Sequence, residues 1–251
     1  MDIKKNTLRV GTYNVGDYSG ENVPAGSEKA KELFREVIEA EGIELWGLQE
    51  DVGFFNAETE ETTYNAVYSS YKNYKRCGVK KYNYKAFLTN LPISDAEQIY
   101  YVGDCKFYHP WFLHAEIEFD GKKICVITHH FDWQDRETRE KQINQVIEFA
   151  SKYEYSMIIG DFNPCDYVML VRQSEASTHA HDLDLFRKAG FNVANADKFG
   201  TFTTHVGHKE ITDYPCDNIV VSSNIKIHNA GIIVRDWMND HAALWADVEL
   251  C

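Results

Sequence analysis

The stretch YSMIIGDFN, residues 155–163, joins an apolar run to a polar cluster. Residues 155–160 have the composition of a buried strand, and Asp161 and Asn163 follow where that strand ends. Sites in α/β proteins are built mainly at strand ends, so the ends of the other predicted strands are the places where further site residues are expected. Five further strand ends carry a carboxylate, an amide or an imidazole, and these residues are Asn14, Glu50, His129 with His130, Asp217, and Asp240 with His241.

The pattern of apolar residues predicts one continuous domain, residues 1–251, in which strands outnumber helices. The predicted strands cover residues 8–15, 43–49, 86–88, 99–102, 111–119, 123–130, 155–160, 218–221, 225–234 and 243–250. Helices are predicted at 28–41 after a Ser27 cap, at 134–152 after an Asp132 cap, at 167–173 and at 183–188. This order indicates an α/β (α+β) class with mixed sheets sandwiched by helices.

The charge of the chain restricts the partners that it can bind. The 251 residues include 26 Lys and Arg against 39 Asp and Glu, a formal net charge of −13. Phosphate polymers are repelled by such a chain unless bound cations or a local basic patch offset its charge. Residues 64–85 are rich in Tyr and Lys, which suits flexible nucleic acid and equally suits a solvated strand or loop surface. No run of apolar residues is long enough to cross a bilayer, so we expect no integral membrane segment.

Six cysteines occur at irregular spacings without a C-x-x-C pair. In a domain of this size they indicate reduced thiols rather than a disulfide framework or a zinc site. We therefore expect a cytoplasmic protein, with a secreted precursor left open, and we expect a monomer.

The residue types at the strand ends suggest one kind of chemistry. Glu50, Asn14 and a further Asp offer hard oxygen ligands, which suit Mg²⁺, Mn²⁺ or Ca²⁺ rather than Zn²⁺. A His–Asp pair supplies an oriented base, while Asp161 can accept a proton from water and Asn163 can donate to an oxyanion. A metal, a base and an oxyanion donor together indicate metal-assisted hydrolysis of a phosphoester.

A series of motifs resembles, in order, those of the endonuclease/exonuclease/phosphatase superfamily over residues 8–250. They are Thr12-Tyr13-Asn14-Val15 (T-x-N-[VI]), Leu48-Gln49-Glu50 (L-Q-E), residues 84–93 (a drifted Y/G-x-A-i-L-S-x-x-P-I), His130-Phe131-Asp132 (T-H-F-D), Gly160-Asp161-Phe162-Asn163 (G-D-F-N), residues 216–222 (I-D-[YN]-I-[FL]-V-S) and Asn239-Asp240-His241 (S-D-H). The chain departs from the pattern at Asn239, at Cys216, where the family has an apolar residue, and at Tyr84-Lys85, where it has Gly–Asn. The resemblance implies a DNase I-like four-layer sandwich, two mixed β-sheets packed face to face with helices on the outside.

The resemblance also implies a metal site. Glu50 is expected to bind the main divalent cation, which is Mg²⁺, with Mn²⁺ or Ca²⁺ as alternatives. Asn14 is expected beside it and Asp240 at a second metal position.

The remaining site residues are implied to be catalytic. His241, oriented by Asp217, acts as the general base or holds the phosphate, and Asp161 orients or activates the attacking water. Asn163 positions a phosphate oxygen or Asp161 itself. His130 donates to a non-bridging oxygen or protonates the leaving group. The sequence leaves the base role divided between Asp161 and His241.

His129 and His130 compete for one of these roles. The phase of the motif selects His130, because Phe131-Asp132 follow it. Neighbours on a strand point to opposite faces, so only one of the two should face the pocket.

Three function classes follow from the sequence. The first is a metal-dependent phosphodiesterase or nuclease in which water attacks the phosphorus directly, without a covalent intermediate. The second is a phosphomonoesterase or phospholipase-like enzyme acting on a small or lipid phosphoester of the inositol phosphate or sphingomyelin type. The third is a binding module that uses an inert copy of the fold.

Overall fold

Twelve strands in the described part of the chain form two six-stranded sheets. The computed structural model describes residues 6–16, 23–24, 26–51, 64–78, 84–103, 110–133, 135–163, 177–195, 204, 215–238 and 240–251. The strands are β1 (Thr7–Asn14), β2 (Leu45–Gln49), β3 (Asn73–Cys77), β4 (Lys85–Thr89), β5 (Ile93–Tyr100), β6 (Trp111–Phe119), β7 (Lys122–His130), β8 (Ser156–Asp161), β9 (Asn192–Val193), β10 (Asp217–Val221), β11 (Ile225–Ile233) and β12 (Ala243–Leu250). The helices are α1 (Glu28–Ile38), α2 (Arg136–Ala150) and α3 (Ser177–Lys188), with a 3-10 helix at Ala40–Gly42 and a π-helical turn at Tyr64–Tyr68.

The two sheets are built alike. The first has the order β11-β12-β1-β2-β4-β3 and the second the order β5-β6-β7-β8-β10-β9. Each contains one parallel pair, β1 with β2 and β7 with β8, and the other pairings are antiparallel. The carboxyl ends of the strands in a parallel pair lie at the same edge of the sheet. Each sheet therefore brings two strand ends to one place.

The four-layer sandwich expected from the resemblance is confirmed. Alternate residues of both sheets, such as Leu45 and Ile159, bury their side chains in a core between the sheets. The opposite face of the first sheet packs against α1 through residues such as Phe34, and that of the second packs against α2 through residues such as Ile143. Burial on both faces accounts for the unbroken apolar runs in the central strands.

A buried polar bridge crosses the core between the sheets. Gln49 of the first sheet donates from Nε2 to Thr128 Oγ1 of the second at 2.9 Å, and it also pairs with Thr12. A buried amide must satisfy its hydrogen bonds internally, so this bridge fixes the register of one sheet on the other. All three side chains are fully buried.

Several boundaries differ from the sequence prediction. The helix predicted at 134–152 begins at Arg136, because Asp135 rather than Asp132 accepts the first helical amide, that of Glu137. Asp132 instead accepts from the Asp135 amide at 2.8 Å. The strand predicted at 99–102 is β5, which begins at residue 93, and β3 was not predicted. The helix predicted at 167–173 lies outside the described residues.

The described cysteines, Cys77, Cys125, Cys216 and Cys251, are in no disulfide. Among the residues that the structure describes, no helix has the length and apolar character needed to cross a membrane.

Candidate active site

The site lies where the two parallel pairs end. Asn14 is the last residue of β1, and Glu50 directly follows β2. His130 and Asp161 are the last residues of β7 and β8, and they pair with each other in register. The face-to-face packing of the sheets brings these four ends together, since side chains of Asn14 and Asp161, from different sheets, are hydrogen-bonded.

Asp161 lies at the centre of the cluster. Its Oδ2 atom accepts from Asn14 Nδ2 at 3.0 Å and lies 3.3 Å from His130 Nε2 and 3.6 Å from His241 Nε2. The carboxyl group is almost fully buried. One carboxylate oxygen therefore faces two imidazoles and an amide.

His241 and Asp217 form a hydrogen-bonded pair. Asp217 opens β10, whose antiparallel pairing with β8 sets Asp217 opposite Asp161, and its Oδ2 lies 2.9 Å from His241 Nδ1. Burial disfavours the charged imidazole, but the carboxylates of Asp217, Asp161 and Asp240 outweigh it and raise the pKa of His241 well above its usual value. The carboxylates around His241 therefore favour its protonated form, in which Nε2–H faces Asp161.

Glu50 lies across the site from this pair. Its Oε1 accepts from Asn14 Nδ2 at 3.3 Å and lies 3.7 Å from His130 Nδ1. Burial, followed by the negative charge of Asp240, raises the pKa of Glu50 to about 8. Carboxyl groups gathered in this way fit a divalent cation, which favours hard oxygen donors and would remove the repulsion.

Asn14 and Asp240, the other two predicted metal ligands, relate to Glu50 in different ways. The Asn14 amide donates to Glu50 and Asp161, while its Oδ1 accepts from the Gly16 amide at 3.1 Å. Asn14 thus holds the two carboxylates through Nδ2, and its Oδ1, an oxygen with two lone pairs, is the atom of its predicted metal contact. Asp240 acts on Glu50 through its charge. Both metal roles stay predictions.

Another grouping could in principle hold a cation. Ligand atoms of Asp161, Asp217 and His241 all lie within 4.8 Å of one another. His241 Nδ1 is, however, engaged with Asp217 at 2.9 Å, so two of the three groups already satisfy each other. We therefore interpret this trio as a hydrogen-bonded His241–Asp217 pair beside Asp161 rather than as the metal centre.

Asn163 shapes the loop that follows β8. It has a positive φ of 39°, and its amide donates to Asp161 Oδ1 at 2.9 Å. Its Nδ2 donates to the Phe131 carbonyl, which follows His130. Of the two roles expected from the sequence, these contacts favour the positioning of Asp161.

The structure separates the two neighbouring histidines as the strand alternation predicts. His130 faces the site, whereas His129 is fully buried and stacks on Phe131, with ring centroids 3.7 Å apart. The chain approaches His129 closely at Gly160, where a Cβ would lie 2.3 Å from the His129 carbonyl oxygen. The first residue of the G-D-F-N stretch must therefore be glycine for β8 to pair with β7.

Two helices fix the segment after His130. Arg139 of α2 donates to the Asp132 carbonyl at 3.1 Å and to Asp182 of α3 at 2.8 Å. Gln142 of α2 accepts from the Asp132 amide. Arg139 and Asp182 are both buried, so this ion pair ties the two helices to the segment that follows His130.

Sequence reasoning missed the contacts of Asp51 with Tyr68, Tyr74 and Arg76, which hold the neighbouring Glu50 and are called the clamp below. Glu50 has φ of 54°, a conformation that costs a non-glycine residue about 1–3 kcal/mol and needs support from its surroundings. The next residue, Asp51, is fully buried and accepts from the Tyr68 hydroxyl at 2.9 Å and from the Tyr74 hydroxyl at 2.7 Å. Arg76 donates to its carbonyl.

This clamp also explains part of the Tyr- and Lys-rich run. Tyr68 and Tyr71 are buried, and Arg76 lies 3.6 Å above the Tyr84 ring. These side chains pack within the protein, so they do not form an exposed stacking platform for bases.

Lys85 was not predicted as a site residue either. It is fully buried at the start of β4, paired in register with Gln49, and its Nζ lies 5.7 Å from the Trp111 ring centroid. Burial lowers its pKa to about 8, against the opposing charge of Glu50 among others. The sequence motif of the family has Asn at this position, and the change to Lys85 was the sequence feature that could have drawn attention to it.

No protein-family model matches the sequence, and no curated protein matches it either. Solved structures match over nearly the whole chain. An endonuclease/exonuclease/phosphatase from Beutenbergia cavernae is 14% identical with a TM-score of 0.76, covering 98% of this chain and 72% of that one. D. rerio TDP2 complexed with single strand DNA product is 14% identical with a TM-score of 0.73, covering 97% and 99%. An endonuclease/exonuclease/phosphatase family protein from Bacteroides thetaiotaomicron is 14% identical with a TM-score of 0.69, covering 98% of each chain.

The chain therefore has the fold of the endonuclease/exonuclease/phosphatase superfamily. The resemblance inferred from its motifs is confirmed at the level of the fold.

Proposed function

We propose that this protein is a divalent-metal-dependent phosphodiesterase that hydrolyses its substrate by direct attack of water. The observation that carries the proposal is Asp161 Oδ2, which lies between His130 Nε2 at 3.3 Å and His241 Nε2 at 3.6 Å. The Glu50 carboxyl lies on the far side of His130. This arrangement provides a proton acceptor and two donors around one point, as hydrolysis of a phosphoester needs.

Asp161 is the residue that we assign to the water. Its Oδ2 is an acceptor, and Asn14 fixes its direction. His241 is the less suitable of the two to take the proton, because the nearby carboxylates, acting against burial, raise its pKa. His241 therefore binds a phosphate oxygen through Nε2–H, with Asp217 holding the ring by Nδ1.

His130 serves the opposite side of the phosphate. It lies between Asp161 and Glu50, and it donates to a non-bridging oxygen or to the departing oxygen. Glu50, with Asp240 and Asn14 beside it, is the residue that would hold the cation. A divalent cation held there, Mg²⁺ or Mn²⁺, would supply positive charge to stabilise negative charge that develops on the phosphate oxygens.

Nucleic acid is the substrate class that we favour. A protein of the same fold, D. rerio TDP2, has been solved with a single strand DNA product. The alternative is a phosphomonoester or lipid phosphoester, as considered from the sequence. We also propose that residues 1–251 form a single domain, that the protein is a monomer and that it is located in the cytoplasm.

The test compares hydrolysis of bis-p-nitrophenyl phosphate and p-nitrophenyl phosphate with Mg²⁺ or Mn²⁺. We expect diester cleavage that EDTA abolishes and that falls roughly a hundredfold or more in Asp161→Ala and His241→Ala. His228→Ala is the matched control, because His228 also pairs with a carboxylate, that of Glu249, but on the exposed edge strand β11. It should retain wild-type rates.

Each other outcome has a defined meaning. A preference for the monoester would select the phosphatase alternative. Cleavage without a metal, or cleavage retained by both variants, would refute the mechanism. A folded protein that neither binds Mn²⁺ nor turns over either substrate would identify an inert binding module.

A further inference from the structure

Cys216 brings a thiol into the centre of the site. It is 4% exposed, and its Sγ donates to Asp161 Oδ1 at 3.2 Å and lies 3.7 Å from Asn163 Oδ1. A carboxylate oxygen only accepts hydrogen bonds, so the thiol must be the donor. In the family pattern this position is apolar, so the contact is a feature of this chain.

The two oxygens of Asp161 have different surroundings. Oδ1 accepts from the Asn163 amide at 2.9 Å and from the Cys216 thiol. Oδ2 faces Asn14, His130 and His241. Oδ1 is thus fixed by two hydrogen bonds, while Oδ2 faces the predicted catalytic side chains.

The backbone fixes the thiol in this place. The Cys216 amide donates to Thr204 Oγ1 at 2.9 Å, and its carbonyl accepts from the Phe162 amide at 3.0 Å. Cys216 directly precedes β10, so its side chain is free of the strand alternation and points to the same site as its neighbour Asp217. Both partners of the S–H bond are therefore set before substrate arrives.

We propose that Cys216 is a positioning residue, whose thiol holds Asp161 Oδ1 so that Oδ2 is aimed at the attacking water. The inference rests on the proposed function for its kinetic consequence. The hydrogen bond itself is independent of that function.

The kinetic test uses Cys216→Ala, which removes the donor, and Cys216→Ser, which keeps one. A net hydrogen bond of ordinary strength corresponds to roughly a threefold to tenfold change in rate. We expect kcat for the diester to fall by that factor in Cys216→Ala with KM unchanged, and Cys216→Ser to recover kcat to within about twofold of wild type. Cys125→Ala is the matched control, because Cys125 is equally buried in β7 but packs in the core beneath α2.

The spectroscopic test needs no activity. An infrared difference spectrum between wild type and Cys216→Ser isolates the S–H stretching band of Cys216. Donation to a carboxylate lowers the frequency of that band, so the same difference taken in an Asp161→Ala background should show it at higher frequency. The Cys125 band, isolated with Cys125→Ser, should stay in place.

These two measurements separate the inference from the proposed function. An Asp161-dependent band in a protein without hydrolase activity would refute the function and retain the contact. A Cys216 band that ignores Asp161→Ala would overturn the inference. So would a Cys216→Ala variant with wild-type kcat, or a loss of activity that Cys216→Ser shares.

Discussion

Tyr74→Phe should weaken metal binding although Tyr74 is remote from the predicted ligands in the sequence. Its hydroxyl donates to Asp51 Oδ2 at 2.7 Å; the Tyr68 hydroxyl also donates to this carboxylate, at Oδ1, and Arg76 lies 4.0 Å from Oδ2. A hydrogen bond to a carboxylate contributes about 1.5–3 kcal/mol. The free energy of this hydrogen bond is of the same size as the cost of the positive φ of Glu50, which is roughly 1–3 kcal/mol.

The loss of this bond therefore removes part of the support for the positive φ of Glu50. Groups that orient a metal ligand typically change affinity by roughly tenfold or more when they are removed. We expect Tyr74→Phe to lower the free energy of unfolding by about 1.5–3 kcal/mol in urea. It should also raise the Kd for Mn²⁺ by about tenfold in titration calorimetry.

Tyr71→Phe is the matched control. Tyr71 is also a buried tyrosine, and its hydroxyl donates to the Ile43 carbonyl at 2.7 Å and accepts from Trp46 Nε1 at 3.0 Å. It should lose a comparable amount of stability but bind Mn²⁺ as the wild type does. Unchanged Mn²⁺ affinity in Tyr74→Phe, or an equal loss in both variants, would refute the clamp.

Three other predictions concern charge and close packing. Since burial and Asp240 raise the pKa of Glu50 to about 8, a proton competes with the metal for this carboxylate below that pH. Mn²⁺ affinity should therefore rise by up to tenfold per pH unit as the pH approaches 8, and calorimetry should show that the buffer takes up the released proton. An affinity that does not change with pH would contradict this. Gly160→Ala places Cβ 2.3 Å from the His129 carbonyl and should cost roughly 3 kcal/mol or more in urea unfolding; a smaller loss would mean that β8 can shift. Arg139→Met leaves Asp182 buried without its cation and should cost about 3–5 kcal/mol, most of which Arg139→Met with Asp182→Leu should restore in the same assay.

The elements that the sequence predicts well are those in which burial dictates residue type. The strands Trp111–Phe119 and Ala243–Leu250 have the predicted bounds. The hairpin at Asp120-Gly121 also forms, with positive φ at both residues, the conformation that this pair favours. Strand β3, NYKRC, was missed because it lies at the edge of its sheet, where half-exposed side chains show no apolar pattern.

The candidate site was predictable to the extent that it consists of polar residues at strand ends. Asn14, Glu50, His130 and Asp161 were found in this way, and contacts join them. The groups that support them were not predictable, because each depends on a distant part of the chain. Asp51 meets Tyr74 from 23 residues away, and nothing near either residue signals the contact.

The strand order of the first sheet has a consequence for synthesis on the ribosome. β1 leaves first, but the strand that flanks it on one side, β12, leaves last. His241, just before β12, joins Asp217 and Asp161 only when this strand is available. Glu50 is therefore translated early, Asp161 follows 111 residues later, and Asp217 and Asp240 precede His241 by 24 residues or fewer. The cluster is completed late in translation, when β12 becomes available to pair with β1.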